Sequence, residues 1–258
     1  MNGATAADVL AAEWIKLRSV RSTLWTVLVT TGLTIAAGVL TAKNVVTHWA
    51  ALSPADREDF DPLAAVLSGL FVTQVGFGLL GVLAIGSEYA TGQIRTTFMA
   101  VPRRVRVLAA KAVAAGMAAF VVGEAAALGA FAAARPILAD RRLDVGIGDP
   151  GVPRALLGAG AFLGLVALVG LGLTAIIRHT AGGIAVLFGL VFVAPWVVPA
   201  LPAPWDARVE PYLLTSLGQQ MYALEPGALS PGAAAGWCAA YAAVALGLAT
   251  VLISRRDA

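Results

Sequence analysis

Between two long apolar runs the chain reads IGSEYATGQIRTTFMAVPRRVRV (85–107), which crowds Glu88, Arg95, Arg103, Arg104 and Arg106 into one loop. A carboxylate and several guanidinium groups at such a place do ion-pair chemistry. They either grip a charged partner surface or hold a helix end at anionic lipid, which is worth about 1 kcal/mol per basic residue. Glu88 falls where the first apolar run ends. A carboxylate there faces the negative end of the helix dipole, a penalty of about 0.3–1 kcal/mol, so the sequence requires a partner or water for it. Gly92 permits a change of direction. Residues 94–101 mix Arg95, Thr96 and Thr97 with Phe98, Met99 and Val101, which suits a short helix lying at a surface. Pro102 ends it, because the residue before a proline avoids the α region. The patch Phe98-Met99 is left facing the cytoplasm unless a partner covers it.

A second set of polar residues lies inside the apolar runs. Glu124 is the only acidic residue deep within one, and Gln74 lies near the middle of another. A charge at mid-helix costs about 2.5–3.5 kcal/mol on insertion scales, so such groups turn toward a bundle interior. Glu124 and Gln74 are expected to share a hydrogen bond near the midplane. They serve either a polar path or helix packing. Thr26, Thr30 and Thr34, with Thr41 beyond them, fall on one helix face and carry the same two readings. Gly160-x-x-x-Gly164 and Ala119-x-x-x-Gly123-x-x-x-Ala127 read as packing motifs. Other chemistry has no foothold. The lysines are Lys16, Lys43 and Lys111, and none follows a glycine, so there is no phosphate-binding G-x-x-x-x-G-K-[ST] loop. No H-E-x-x-H, no Cys/His cluster and no G-x-S-x-G elbow occurs. The reading is therefore of a chain that is not itself an enzyme and holds no metal or cofactor.

The elements that must position these residues follow from composition. Of 258 residues 59% are hydrophobic and 13% charged, with a mean hydropathy of +0.83. Soluble domains carry about 25% charged residues, so the chain belongs to the membrane class. Six runs are long enough to cross hydrocarbon as helices: 24–42, 63–86, 107–134, 155–177, 181–200 and 233–253. Alternation of period two is absent, which disfavours a β-barrel. The expectation is an all-α integral membrane protein, a six-helix bundle forming one domain over 1–258. A cytoplasmic N-terminus puts eleven Lys and Arg on inner segments against seven outside, although Arg135, Arg141, Arg142 and Arg154 fall on an outer loop. Both termini are thus expected inside. Residues 5–21 suit an interfacial helix with Leu10, Trp14 and Leu17 on one face. The stretch 195–231 holds seven prolines and cannot be one helix; 212–224 suits a short helix at the outer surface.

Three segments together, EWIKLRSVRSTLW (13–25), SEYATGQIRTTFMAVPRRVRVLAAK (87–111) and LISRRDA (252–258), resemble the permease subunits of ABC-2-type transporters, those of actinomycetes in particular. The resemblance covers essentially the whole chain, and the loop is its most specific part. It implies one half of a dimeric ATP-driven exporter in a bacterial plasma membrane. The partners it implies are a second copy or a homologous permease, a separate ATPase subunit that would hold ATP and Mg, and the bilayer, with no nucleic acid. It also implies that 87–106 acts as a cytoplasmic coupling helix. On that resemblance the coupling role falls on Glu88, Tyr89, Thr91, Gly92, Arg95, Thr96 and Thr97, with Pro102, Arg103 and Arg104 closing the segment. A stand-alone secondary transporter and a non-transporting scaffold or immunity subunit are the alternatives. No residue selects a substrate.

Overall fold

A computed structural model describes residues 5–58, 60–101, 103–225 and 227–255. Among them there is no strand. Thirteen α-helices follow in order: α1 (Ala6–Ser19), α2 (Arg21–His48), α3 (Pro54–Glu58), α4 (Pro62–Val66), α5 (Leu70–Thr91), α6 (Gln93–Ala100), α7 (Arg104–Ala139), α8 (Val152–Ile177), α9 (Thr180–Phe188), α10 (Ala194–Val197), α11 (Trp205–Val209), α12 (Leu214–Tyr222) and α13 (Pro231–Arg255). Helices α2, α5, α7, α8 and α13, and the continuous stretch Thr180–Ala200 that contains α9 and α10, are each long and apolar enough to cross a membrane. In hydrocarbon a helix satisfies its own backbone, which is why this composition settles into helices. The chain is a multi-pass helical membrane protein.

Helices α5 and α8 form the centre. Their most apolar stretches are 56% and 67% buried, against 17% for α2. They approach closely because glycines face each other: a methyl at Gly81 would run into the carbonyl of Ala167, and one at Gly170 would lie 2.5 Å from the carbonyl of Gly78. Small residues let backbones meet where lipid offers no hydrophobic drive. Helix α13 uses the same device, with Ala234, Cys238, Ala242, Ala245, Ala249 and Ile253 forming its buried stripe. Its Ala245 side chain would meet a methyl on Gly172 of α8 at 2.7 Å.

The first span, expected over 24–42, runs from Arg21 to His48, and three others also differ from their sequence expectations. The second, expected over 63–86, is divided. Asp61 caps α4 through the amides of Leu63 and Ala64, and the chain breaks at 67–69 before α5 begins. Gly69 allows that break to sit against α2, where a methyl would be 2.7 Å from the carbonyl of Thr34. The third span runs beyond 134 to Ala139 and takes Pro136 inside it. At 36 residues α7 is about 54 Å long, well beyond the roughly 30 Å of hydrocarbon, so its ends stand clear. The fifth span holds a π-helical turn, Gly189–Val193, just ahead of Pro195. The short helix expected over 212–224 is α12. It turns Leu214, Leu217, Met221 and Tyr222 inward, and Arg154 binds the carbonyls of Met221, Ala223 and Leu224 at its end.

Candidate functional site

The C-terminal end of α5 and the N-terminal end of α7 meet α1 and α6 in one polar junction. Helix α1 starts on a reciprocal cap: the Thr5 amide donates to Asp8 at 2.9 Å, and the Asp8 amide donates to the Thr5 hydroxyl at 3.3 Å. It ends at Val20, a single extended residue that also begins α2. The face of α1 turned to the bundle is not the one that carries Leu10 and Trp14. Val9 and Glu13 are buried, whereas Leu10, Trp14 and Ile15 face outward. Helix α5 ends at Gly92, whose φ of 71° lies in the left-handed region that glycine adopts without strain. That residue turns the chain into α6.

Four charged side chains close the junction. Lys111, on the second turn of α7, is 1% exposed. Its ammonium donates to Glu13 Oε2 at 2.6 Å, to Glu88 Oε1 at 2.7 Å and to the Ala84 carbonyl at 3.1 Å, so all three of its hydrogens are used. Lys16 completes the ring, 2.9 Å from Glu13 Oε1 and 2.8 Å from Glu88 Oε1. Two positive and two negative charges balance, and both carboxylates are buried. The second oxygen of Glu88 receives the Thr97 hydroxyl of α6 at 3.4 Å. Burial works against the charged form of Lys16, but its hydrogen bonds to Glu88 and Glu13 outweigh that and hold its pKa above the ordinary lysine value. A cavity of about 460 Å³ opens beside the ring, lined by Lys16, Ser19, Ser22, Ser87, Glu88 and Thr97 among others.

This geometry sorts the loop residues. Glu88 has the partner its position requires, but the partner is internal, so its carboxylate is not presented at the surface as the docking expectation had it. Tyr89 is half-buried among Ile85, Ile94 and Leu108. Phe98 belongs to the same cluster and lies under the Arg104 guanidinium at 5.5 Å from its ring centre. Of the expected apolar patch only Met99 stays open, at 74%. Arg104 also donates to the carbonyl of Ile253 at 3.2 Å, tying α7 to α13. Thr91, Arg95, Thr96 and Arg103 are exposed. The hydroxyls of Thr91 and Thr96 bond back to Ser87 and Gln93. Pro102 lies outside the described residues, as do residues 256–258 of the tail. The short turn between α8 and α9 joins the junction through Thr180, which donates to the carbonyl of Gly86 at 2.8 Å.

The membrane-level residues are not assembled into one site. Gln74 donates to the Phe71 carbonyl at 2.7 Å, and its Oε1 is buried without a partner. Glu124 sits instead against Gly160 of α8, where a methyl would run into its Oε2, and that oxygen also lacks a partner. The expected Gln74–Glu124 hydrogen bond is not made, because the two helices turn these side chains into different seams. The threonine face of α2 packs on α5 and on the break before it: Thr34 meets the Thr73 hydroxyl of α5 at 2.8 Å, and Thr41 meets Ser68 at 2.8 Å. Thr30 bonds back to Thr26 and lies over Gly76. Among the described residues no group of His, Cys, Asp and Glu is arranged to hold a metal.

Sequence reasoning quoted Glu13, Lys16 and Lys111 but gave them no role. The usable signal was Lys111, a lysine set inside an apolar run and therefore in need of an acid. Comparison with known proteins gives no matching family model and no matching curated relative.

Proposed function

We propose that this chain is the membrane-spanning permease subunit of an ATP-driven exporter of the ABC-2 type. In this reading it works as a dimer with a second copy or a homologous permease, and a separate ATPase subunit drives it through 87–106. The observation that carries the reading is α6. It is a short helix set past the end of a membrane-crossing helix, fixed from behind by Glu88 and the Phe98 cluster. It turns Arg95, Thr96 and Met99 outward. A fixed base with an unencumbered polar and apolar face is what a motor needs in order to push on a bundle. The chain has no nucleotide loop of its own, so the work would come from another polypeptide.

The test is reconstitution in vesicles with a P-loop ATPase that copurifies with this chain from native membrane. The expected result is ATPase activity that rises when the permease is present. Arg95→Glu should lose that rise and weaken association about tenfold, a change of about 1.4 kcal/mol. A cysteine at Met99 should cross-link to the ATPase. An ATPase indifferent to the permease and to Arg95→Glu, or cargo that crosses with no ATPase present, would sink the reading.

A further inference from the structure

We propose that Lys111 is a positioning residue that yokes α1 to the α5–α6 junction, so that α1 and α6 move as one body and a displacement of α6 reaches α2 through the Val20 elbow.

The argument begins with what holds α1. It is a 14-residue helix joined to α2 by one extended residue. Such a link fixes the end of α1 but not its swing. An apolar face would ordinarily fix the swing, yet Val9 is the only buried hydrophobic residue on α1, and Leu10, Trp14 and Ile15 face away from the bundle. What remains is the charge ring. Glu13 and Lys16 come from α1, Glu88 from α5 and Lys111 from α7, at contacts of 2.6 to 2.9 Å. The attachment of α1 is therefore ionic.

Within the ring the four groups are not equivalent. Lys16 is about half exposed and can turn to water, whereas Lys111 is enclosed. The Lys111 ammonium touches both carboxylates and the α5 backbone at once. Removing it leaves two buried carboxylates facing one mobile lysine. That surplus negative charge is relieved most directly if α1 swings out and carries Glu13 to water. Glu88 extends the yoke to α6 through Thr97. The proposal builds on the coupling reading only for what would load α6; the linkage itself belongs to this chain.

The test uses the full chain alone in lipid nanodiscs, with spin labels on Ala11→Cys and Met99→Cys and with Cys238→Ala. Both labelled positions are exposed. The parent should give one narrow distance between α1 and α6. Lys111→Met should broaden it and add a longer component. Glu13→Gln in the Lys111→Met background should return the narrow distance, because Lys16 and Glu88 then balance again. A Lys111→Met protein that keeps the parent distance overturns the proposal, as does a double variant as broad as the single one. Should Lys111→Met fail to fold, Glu13→Gln alone leaves one surplus cation and should broaden the distance; an unchanged distance there overturns it equally. No ATPase is present, so failure of the coupling reading leaves this outcome untouched.

Discussion

The charged junction and the middle of the bundle treat buried polar groups in opposite ways. At the junction two carboxylates and two lysines are matched in charge and nearly matched in hydrogen bonds. Halfway across, Glu124 and Gln74 each leave an oxygen buried with no partner. A complete buried network fixes the geometry of the elements that contribute to it, while a lone polar group in a helix seam contributes little beyond its packing. The difference teaches that α1, α5, α6 and α7 are held to one another by specific geometry where they meet at the charge ring. The α7–α8 seam around Glu124 is held by shape.

Neutralising one carboxylate in each region is the sharpest way to break that comparison. Glu88→Gln leaves Lys16 and Lys111 sharing a single carboxylate. Breaking a buried pair costs about 3–5 kcal/mol, and the freedom of Lys16 to reach water puts this case at the low end. Glu124→Gln replaces a carboxyl whose buried oxygen has no hydrogen-bond partner, and intramembrane hydrogen bonds average about 0.6 kcal/mol, so its effect should stay below about 1 kcal/mol. Thermal unfolding of the two variants in the same detergent compares them directly. Equal destabilisation would erase the distinction between the regions. A measurable loss of transport in Glu124→Gln with assembly intact would assign that residue to a path rather than to packing.

Gly160→Ala sharpens the other half of the comparison. The new methyl runs into Glu124 Oε2, and overpacking of this kind costs about 1–3 kcal/mol. The nearest blocking atom is the far end of a flexible side chain, so the cost should sit at the bottom of that range and should shrink in a Glu124→Ala background, where only the tight contacts to Cβ at 3.1 Å and Cα at 3.2 Å remain. A double-mutant cycle over these two positions measures the coupling. Additive effects would show that the seam is not shaped around Glu124.

Much of the fold was legible because hydropathy and breakers are local. Six spans, the turn at Gly92 and the short helix after it all follow from residues near one another in the chain. The break at 67–69 was hidden because Leu67 and Leu70 keep the apolar run continuous across it, and only the approach of Gly69 to α2 gives it a place. The charge ring was hidden for a stronger reason. Glu13 and Lys111 are 98 residues apart, and although Lys111 calls for an acid, nothing near it in the chain says which one. The face that α1 turns to the bundle was hidden too: Leu10 and Trp14 are exposed, and nothing local marks Glu13 as the residue buried there.

The smallest expected effect tests whether the junction acts through charge at all. Lys16 has a pKa raised above the ordinary 10.5, with burial opposed and outweighed by the bonds to Glu88 and Glu13. A group whose pKa is raised on folding contributes stability that is fully present below its unfolded value and is lost as pH rises through the folded one. The docking of α1 should therefore be unchanged at neutral pH and loosen only in the alkaline range above 10.5. Lys16 is half exposed, so the loss is partial: the ring still holds Lys111 against both carboxylates. The α1–α6 spin-label distance, titrated upward through that range, should broaden in the parent and lose that alkaline step in Lys16→Gln, which has no Lys16 ammonium left to deprotonate. A distance that broadens on acidification before any global unfolding, or a Lys16→Gln protein indistinguishable from the parent throughout, would mean that packing rather than ion pairing seats α1.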